Sequence, residues 1–228
     1  MTRSRKDDTL TMLAYNVNKK RGVNMPKDKT ASHIQVIIAM RAEFLEKGFA
    51  DASVRSIAAR AGMSAAGLYR HYKNKEDMFD ALMQPLMGEM NEWLEHHRRM
   101  KYAMVDQDGA DREMLFGEAY MDFVKDVLYP RREEFKLLLR GARGTKYENF
   151  LHDFVEEQQR DMMETFEYMR AHGCEIKIPT QEEMHTLLSA YLTAVFETIL
   201  HGYEKEKMEY CMDTLNRFFL PGWMAIMG

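Results

Sequence analysis

The chain has 228 residues, of which 46% are hydrophobic and 30% charged, and its net charge is −4. That length allows one large domain or a small one joined to a larger one, and no stretch approaches the run of about eighteen apolar residues that spans a membrane. The basic N-terminus is followed by no signal-like apolar run, so a cytoplasmic protein is expected, and Cys174 and Cys211 have neither metal-type nor redox spacing.

Residues 1–30 are polar and carry a net charge of +5, with Gly22 and Pro26 as breakers, and they read as a basic arm or tail. Ile34, Ile37, Ile38, Phe44 and Leu45 mark a first amphipathic helix ending near Gly48. A second, short helix is expected after Ser53, an N-cap residue, up to Gly62, where positive φ can end it. Ser64 is placed to cap a third short helix running to about His71. Asn74 caps a fourth, with Glu76 and Asp77 in a first turn where the helix dipole favours them.

Beyond residue 78 the pattern stays helical. Phe116, Phe123 and Val127 fall on one helix, and Leu151, Phe154, Val155, Met162, Phe166 and Met169 stripe a long one. Leu188, Tyr191, Val195 and Ile199 run through the most apolar helix, and Leu215, Phe218 and Phe219 through the last, which Pro221-Gly222 is expected to end. Pro85 should kink or break the fourth helix, because it removes one backbone donor and crowds the carbonyl four residues earlier. Loops fall near 106–110, 141–146 and 172–180. The fold expected is all-α: an arm over residues 1–30, a three-helix head over 31–78, and a larger helical body over 79–228.

Charge divides the same way. Residues 1–80 hold 15 Lys/Arg against 9 Asp/Glu, and the remainder 17 against 27. From Ala52 to Lys75 there are five basic residues and no acidic one. A basic end on an acidic chain suggests an anionic partner for that end alone. Two short helices joined by Ala61-Gly62-Met63-Ser64 suit a helix-turn-helix, with Ala58 small at the crossing, Gly62 in the turn, and Ile57 and Leu68 locking the pair. The start of the second helix would then enter the major groove, placing Ala65, Ala66 and Gly67 near base edges with Arg55 beside them. Small side chains let the backbone approach and can touch thymine methyls, so Arg55 is the candidate for the strongest direct base contact. Tyr69, His71 and Lys75 suit phosphate positioning.

These residues resemble the DNA-binding domain of the tetracycline-repressor (TetR) family from about Ser32 to Ala81. The matching runs are A-x-x-x-F-L-E-K-G-F, S-V-R-S-I-A-x-R-A-G-M-S and L-Y-R-H-Y-K-N-K-E-D-M-F. The resemblance implies that Ser53, Val54, Arg55, Ser64, Ala65, Ala66, Gly67, Tyr69, His71 and Lys75 occupy DNA-contacting positions. It implies a homodimeric, ligand-responsive repressor of a palindromic operator in double-stranded DNA, with no enzymatic activity, no cofactor and no membrane.

Met and aromatic residues at helical spacing ordinarily make core, yet flexible thioethers also line adaptable pockets. The resemblance places an inducer among these helices, so Met87, Met90, Trp93, Phe116, Tyr120, Phe123, Met162 and Phe166 are candidate contacts for an apolar or amphipathic small molecule. The helices near 181–202 and 205–220 hold more apolar surface than one subunit should bury, and Tyr191, Val195, Phe196 and Phe218 are the candidate dimer contacts. Glu182-x-x-His185 has the spacing of half a di-iron site, but no second such pair exists in the sequence and no metal is expected. The rival reading is a small helical enzyme or metal-binding bundle protein with a basic face.

Overall fold

A computed structural model describes residues 29–108 and 119–228; residues 1–28 of the basic arm and Phe116 lie outside them. The described residues form helices with no strand. In chain order these are α1 (Lys29–Asp51), α2 (Val54–Arg60), α3 (Ala65–Leu68), α4 (Lys75–Asp108) and α5 (Ala119–Phe123), followed by α6 (Arg132–Arg140), α7 (Phe150–Ala171), α8 (Gln181–Leu200) and α9 (Lys205–Met227). Between α5 and α6 lie a π-helical turn, Val124–Leu128, and a 3-10 turn, Tyr129–Arg131.

The head closes around side chains that the helical stripes supply: Met40, Phe44, Ile57, Leu68, Met78 and Phe79 are all fully buried. Phe79 packs edge-on against both Phe44 and Phe49, at 5.2 and 5.4 Å between ring centroids. Helical geometry in α1 is interrupted at Gly48 (φ 70°, ψ 177°), the residue where the stripe was expected to end. A side chain there would meet the backbone of Gly141 at 3.4 Å, and one on Gly141 would meet Leu137 Cδ1 at 2.5 Å. The positive φ of Gly48 favours glycine there, and beside it the Phe49 N–H donates to Gly141 O at 2.7 Å. The 141–146 loop, the Gly-Ala-Arg-Gly-Thr-Lys run, is therefore where the body grips the end of α1.

Neither proline ends its helix. The helix α4 runs through Pro85 and α9 runs through Pro221 to Met227. Proline costs its own donor and some crowding, but packing past it offsets that cost. Leu86 and Met90 are buried beyond Pro85, and Trp223 and Met227 beyond Pro221. The Met227 carbonyl also accepts the Lys177 N–H at 2.8 Å. The third helix is shorter than expected, four residues followed by a turn through His71. Since α4 begins at Lys75 and continues to Asp108, it belongs to head and body alike.

Candidate nucleic-acid interface

The helix-turn-helix is built from α2, a turn at Gly62 (φ 67°) and α3. Ser64 caps α3 by accepting the Gly67 N–H at 3.1 Å, and Asn74 caps α4 by accepting the Asp77 N–H at 2.7 Å. Ser53 stands at the N-cap of α2, but its hydroxyl makes no cap bond; its own N–H goes to Glu43 Oε1 at 3.2 Å. Arg55, Ala66, Tyr69, Arg70 and His71 are exposed, as are Ser53 and Ser64, while Val54 and Ala65 are half-buried and Gly67 is buried. Among the described residues neither Arg55 nor Arg70 has an acidic partner, so both guanidinium groups are available to an outside anion. The face has no carboxylate between Ala52 and Lys75 to repel a phosphate backbone.

Lys75 is placed otherwise than its charge suggested. Its Nζ donates to the carbonyls of Phe49, Ala50 and Ala52 at 2.7, 3.1 and 3.2 Å, and lies 4.4 Å over the Phe49 ring. An ammonium has three donors, and here all three close the C-terminal end of α1. Lys75 therefore braces the head instead of pointing at phosphate.

Glu43 was missed by the sequence reading and holds the same region from inside. It is fully buried, with Oε1 accepting from Lys47 at 2.8 Å and Oε2 from Ser56 Oγ at 2.6 Å, while Arg60 Nε sits 3.1 Å from Oε2. Burial pushes its carboxyl up, but the bonds from Lys47, Ser56 and the Ser53 N–H outweigh that and bring its pKa down to about 2. This anion fixes α2, and with it Arg55, against α1. The signal was present: an acidic residue on the apolar stripe between Met40 and Phe44.

The body contains cavities of its own. Trp93, Tyr120 and Met162, three of the candidate ligand residues, line one narrow cavity of about 50 Å³ together with His97, Arg98, Lys101, Gln158, Asp161, Tyr191 and Trp223. The polar members were not anticipated. Met87 and Met90 line a neighbouring cavity of about 180 Å³. Phe123 and Phe166 are fully buried core residues that reach neither cavity. Lys101 pairs with Asp161 from α7, and Tyr120 donates to Gln158 Oε1 at 3.0 Å. Burial, with the Lys101 charge, holds the His97 imidazole down to about 4, so it is neutral at pH 7, and its ring stacks on Trp93 at 4.8 Å. Burial likewise pushes Tyr191 up to about 12.

Of the expected dimer contacts, Tyr191, Val195 and Phe196 are buried inside the single chain, where Tyr191 meets Phe219 and Phe196 meets Phe135 and Phe154. Their apolar stripe faces their own core, and only Phe218, 76% exposed, offers its surface outward. His185 Nδ1 lies 3.1 Å from Gln159 Oε1, and no group of three or more His, Cys, Asp or Glu among the described residues is placed to hold a metal.

Residues 37–82 match the family model described as bacterial regulatory proteins, tetR family. The chain is 32% identical over 75 residues to the fatty acid metabolism regulator protein of Bacillus subtilis, covering 33% of this chain and 39% of that protein. It is 27% identical over 106 residues to the HTH-type transcriptional activator FasR of Mycolicibacterium smegmatis, covering 46% of this chain and 45% of that one. It thus spans less than half the length of the curated relatives it matches. The crystal structure of MexZ, a repressor from Pseudomonas aeruginosa, shares the fold with a TM-score of 0.56 at 19% identity, over 88% of this chain and 96% of that one.

Proposed function

We propose that this chain, whose residues 37–82 match the model of the tetR family of bacterial regulatory proteins, is a transcriptional regulator of that family and acts as a homodimeric repressor that binds a palindromic operator and is released by a small amphipathic ligand. The observation that carries the reading is the exposed α2–α3 face, where Arg55 and Arg70 stand unpaired in a window without acidic residues. Two such faces related by a two-fold axis would meet half-sites about 34–36 Å apart, one helical turn of duplex. Ala65 and Ala66 let the backbone come close to the bases, and Arg55 supplies the bidentate donor that guanine accepts. Ser53, Ser64, Tyr69 and His71 border that face and suit phosphate.

The second copy is assigned to α9. Tyr210, Thr214, Phe218, Pro221 and Ala225 follow one another at spacings of four, four, three and four, all exposed and all uncharged. Tyr210 and Phe218 are 71% and 76% exposed. Such a stripe along one helix is complementary to itself under a two-fold axis and buries its apolar surface against its symmetry mate.

Ligand response is supported by the body cavity. At about 50 Å³ it is far smaller than the roughly 300–1,000 Å³ of a site that encloses a small molecule. A ligand would therefore select a more open arrangement of α4 and α7, and α4 leads directly into the head. The name of the Bacillus relative supports fatty acid metabolism as the field of the genes controlled. Electrophoretic mobility of duplex DNA with the purified full chain tests the proposal: a shift that weakens as salt is raised is expected, and no shift at micromolar protein would contradict it.

A further inference from the structure

The four residues of α3 offer a base edge almost nothing but backbone, because Ala65, Ala66, Gly67 and Leu68 carry no side-chain donor or acceptor. Gly67 is nonetheless buried, and its surroundings show by what. A β-carbon on Gly67 would lie 3.4 Å from Ser64 Oγ, 3.6 Å from Arg70 Nη2 and 3.8 Å from Met63 Cβ. All three neighbours are side chains from the turn before α3 or the turn after it, and none belongs to α1 or α4. Gly67 therefore faces away from the head core, and the Arg70 guanidinium lies over it.

Local geometry carries Arg70 there. Its N–H bonds Gly67 O at 3.3 Å, in the turn that follows α3. Side chains three apart eclipse in such a turn, and a long side chain on a helix leans back over the turn N-terminal to it. Arg70 thus reaches from the end of the reading helix to its beginning. A larger side chain at 67 would stand where the guanidinium lies. Arg70 is exposed and, among the described residues, no carboxylate draws it away.

The N-terminal residues of a recognition helix are the ones that meet base edges. A guanidinium lying over Gly67, beside Ser64, arrives at those edges with its donors foremost. Guanine presents O6 and N7 together in the major groove, the pair that the planar fork of arginine bonds at both points. We propose that Arg70 is a base-reading residue, its guanidinium delivered over Gly67 to the O6/N7 edge of a guanine, at a base pair other than the one read by Arg55 from α2. The inference rests on the DNA-binding reading above and adds a second specificity-determining side chain to it. It also gives glycine at 67 a reason, which is room for the arginine.

The test is competition between a duplex bound by the full chain and its single-base variants, over a range of salt. Arg70→Ala should weaken binding to the preferred duplex about tenfold to a hundredfold and abolish preference at one base pair, different from the pair affected by Arg55→Ala. Arg70→Lys keeps the charge without the fork, so it should lose that preference and retain the salt dependence. Gly67→Leu puts a side chain in the guanidinium's place and should lose preference at the same base pair as Arg70→Ala. Because both changes remove one interaction, the double variant should bind no worse than the weaker single one. Gly67→Ala meets its neighbours at ordinary contact distances and should keep the preference. An unchanged Tm for Arg70→Ala separates lost reading from a lost fold. A loss equal at every base pair, with a salt slope lowered by about one unit, would place Arg70 on a phosphate and overturn the proposal; so would unchanged binding, or loss at the base pair that Arg55 reads. Failure of the unsubstituted chain to bind any duplex contradicts the function proposed above, whereas duplex binding with preference intact in Arg70→Ala contradicts this inference alone.

Discussion

Lys75→Ala separates a brace from a phosphate contact. The substitution strips three backbone carbonyls, those of Phe49, Ala50 and Ala52, of the ammonium that now bonds them at 2.7–3.2 Å. Hydrogen bonds to a charged group contribute about 1.5–3 kcal/mol each where water cannot replace them. Lys75 is half-buried and the Ala50 carbonyl is on the solvent side, so water recovers much of the loss. The cation over the Phe49 ring, worth about 0.5–1 kcal/mol, is lost as well. A destabilisation of about 2–4 kcal/mol is therefore expected. In a domain of this size each kcal/mol lowers Tm by about 2–4 °C, so calorimetry should show a fall of roughly 5–15 °C. Among molecules that stay folded, the salt dependence of duplex binding should be unchanged. An unaltered Tm together with a salt slope reduced by about one unit would show that Lys75 meets a phosphate after all, and the reasoning from its three carbonyls would fail.

Other perturbations probe the remaining parts of the account. The Glu43 carboxyl is held at about 2, below its ordinary 4.5, so its contribution to stability is full above pH 4.5 and is lost as the pH falls from there to about 2. Glu43→Gln should lower stability at pH 7 and remove that acid-limb decline, read by urea unfolding at a series of pH values; an unchanged decline would rule out Glu43 as its source. Arg55→Ala should cost about 1–3 kcal/mol and relax preference at one base position, measured by competition among single-base variants of a bound duplex; a uniform loss at every position would move Arg55 to the backbone. Phe218→Glu sets a charge against its symmetry mate on α9 and should raise the dimer dissociation constant by at least about a hundredfold in sedimentation equilibrium, since like charges brought together cost several kcal/mol. A dimer of undiminished affinity would place the interface elsewhere.

Much of the head was readable because its determinants are local. Ser64 and Asn74 cap the helices they precede, Gly62 turns the chain, and Ile57 and Leu68 lock α2 to α3, all within a few residues. Lys75 was misplaced because a cation looks the same in sequence whether a phosphate or a carbonyl satisfies it. Tyr191, Val195 and Phe196 were misplaced for a similar reason: an apolar stripe shows that a face is covered but not by which subunit. That α9 continues past Pro221 depended on packing by residues far along the chain. Lys101 and Asp161 are separated by 60 residues, so the polar end of the cavity existed in no window of sequence. Glu43 is the exception, an acidic residue on an apolar stripe whose position could have raised the question of what it holds.

The central claim is that the α2–α3 faces of two copies read symmetric DNA. Selection from a randomised duplex pool by the full chain, followed by affinity measurement on the enriched sequences across a range of salt, tests it most directly. The account predicts enriched two-fold symmetric sites with half-site centres about 34–36 Å apart and a logarithm of affinity that falls linearly with the logarithm of salt concentration. Enrichment of nothing, or of sites without two-fold symmetry, would contradict it.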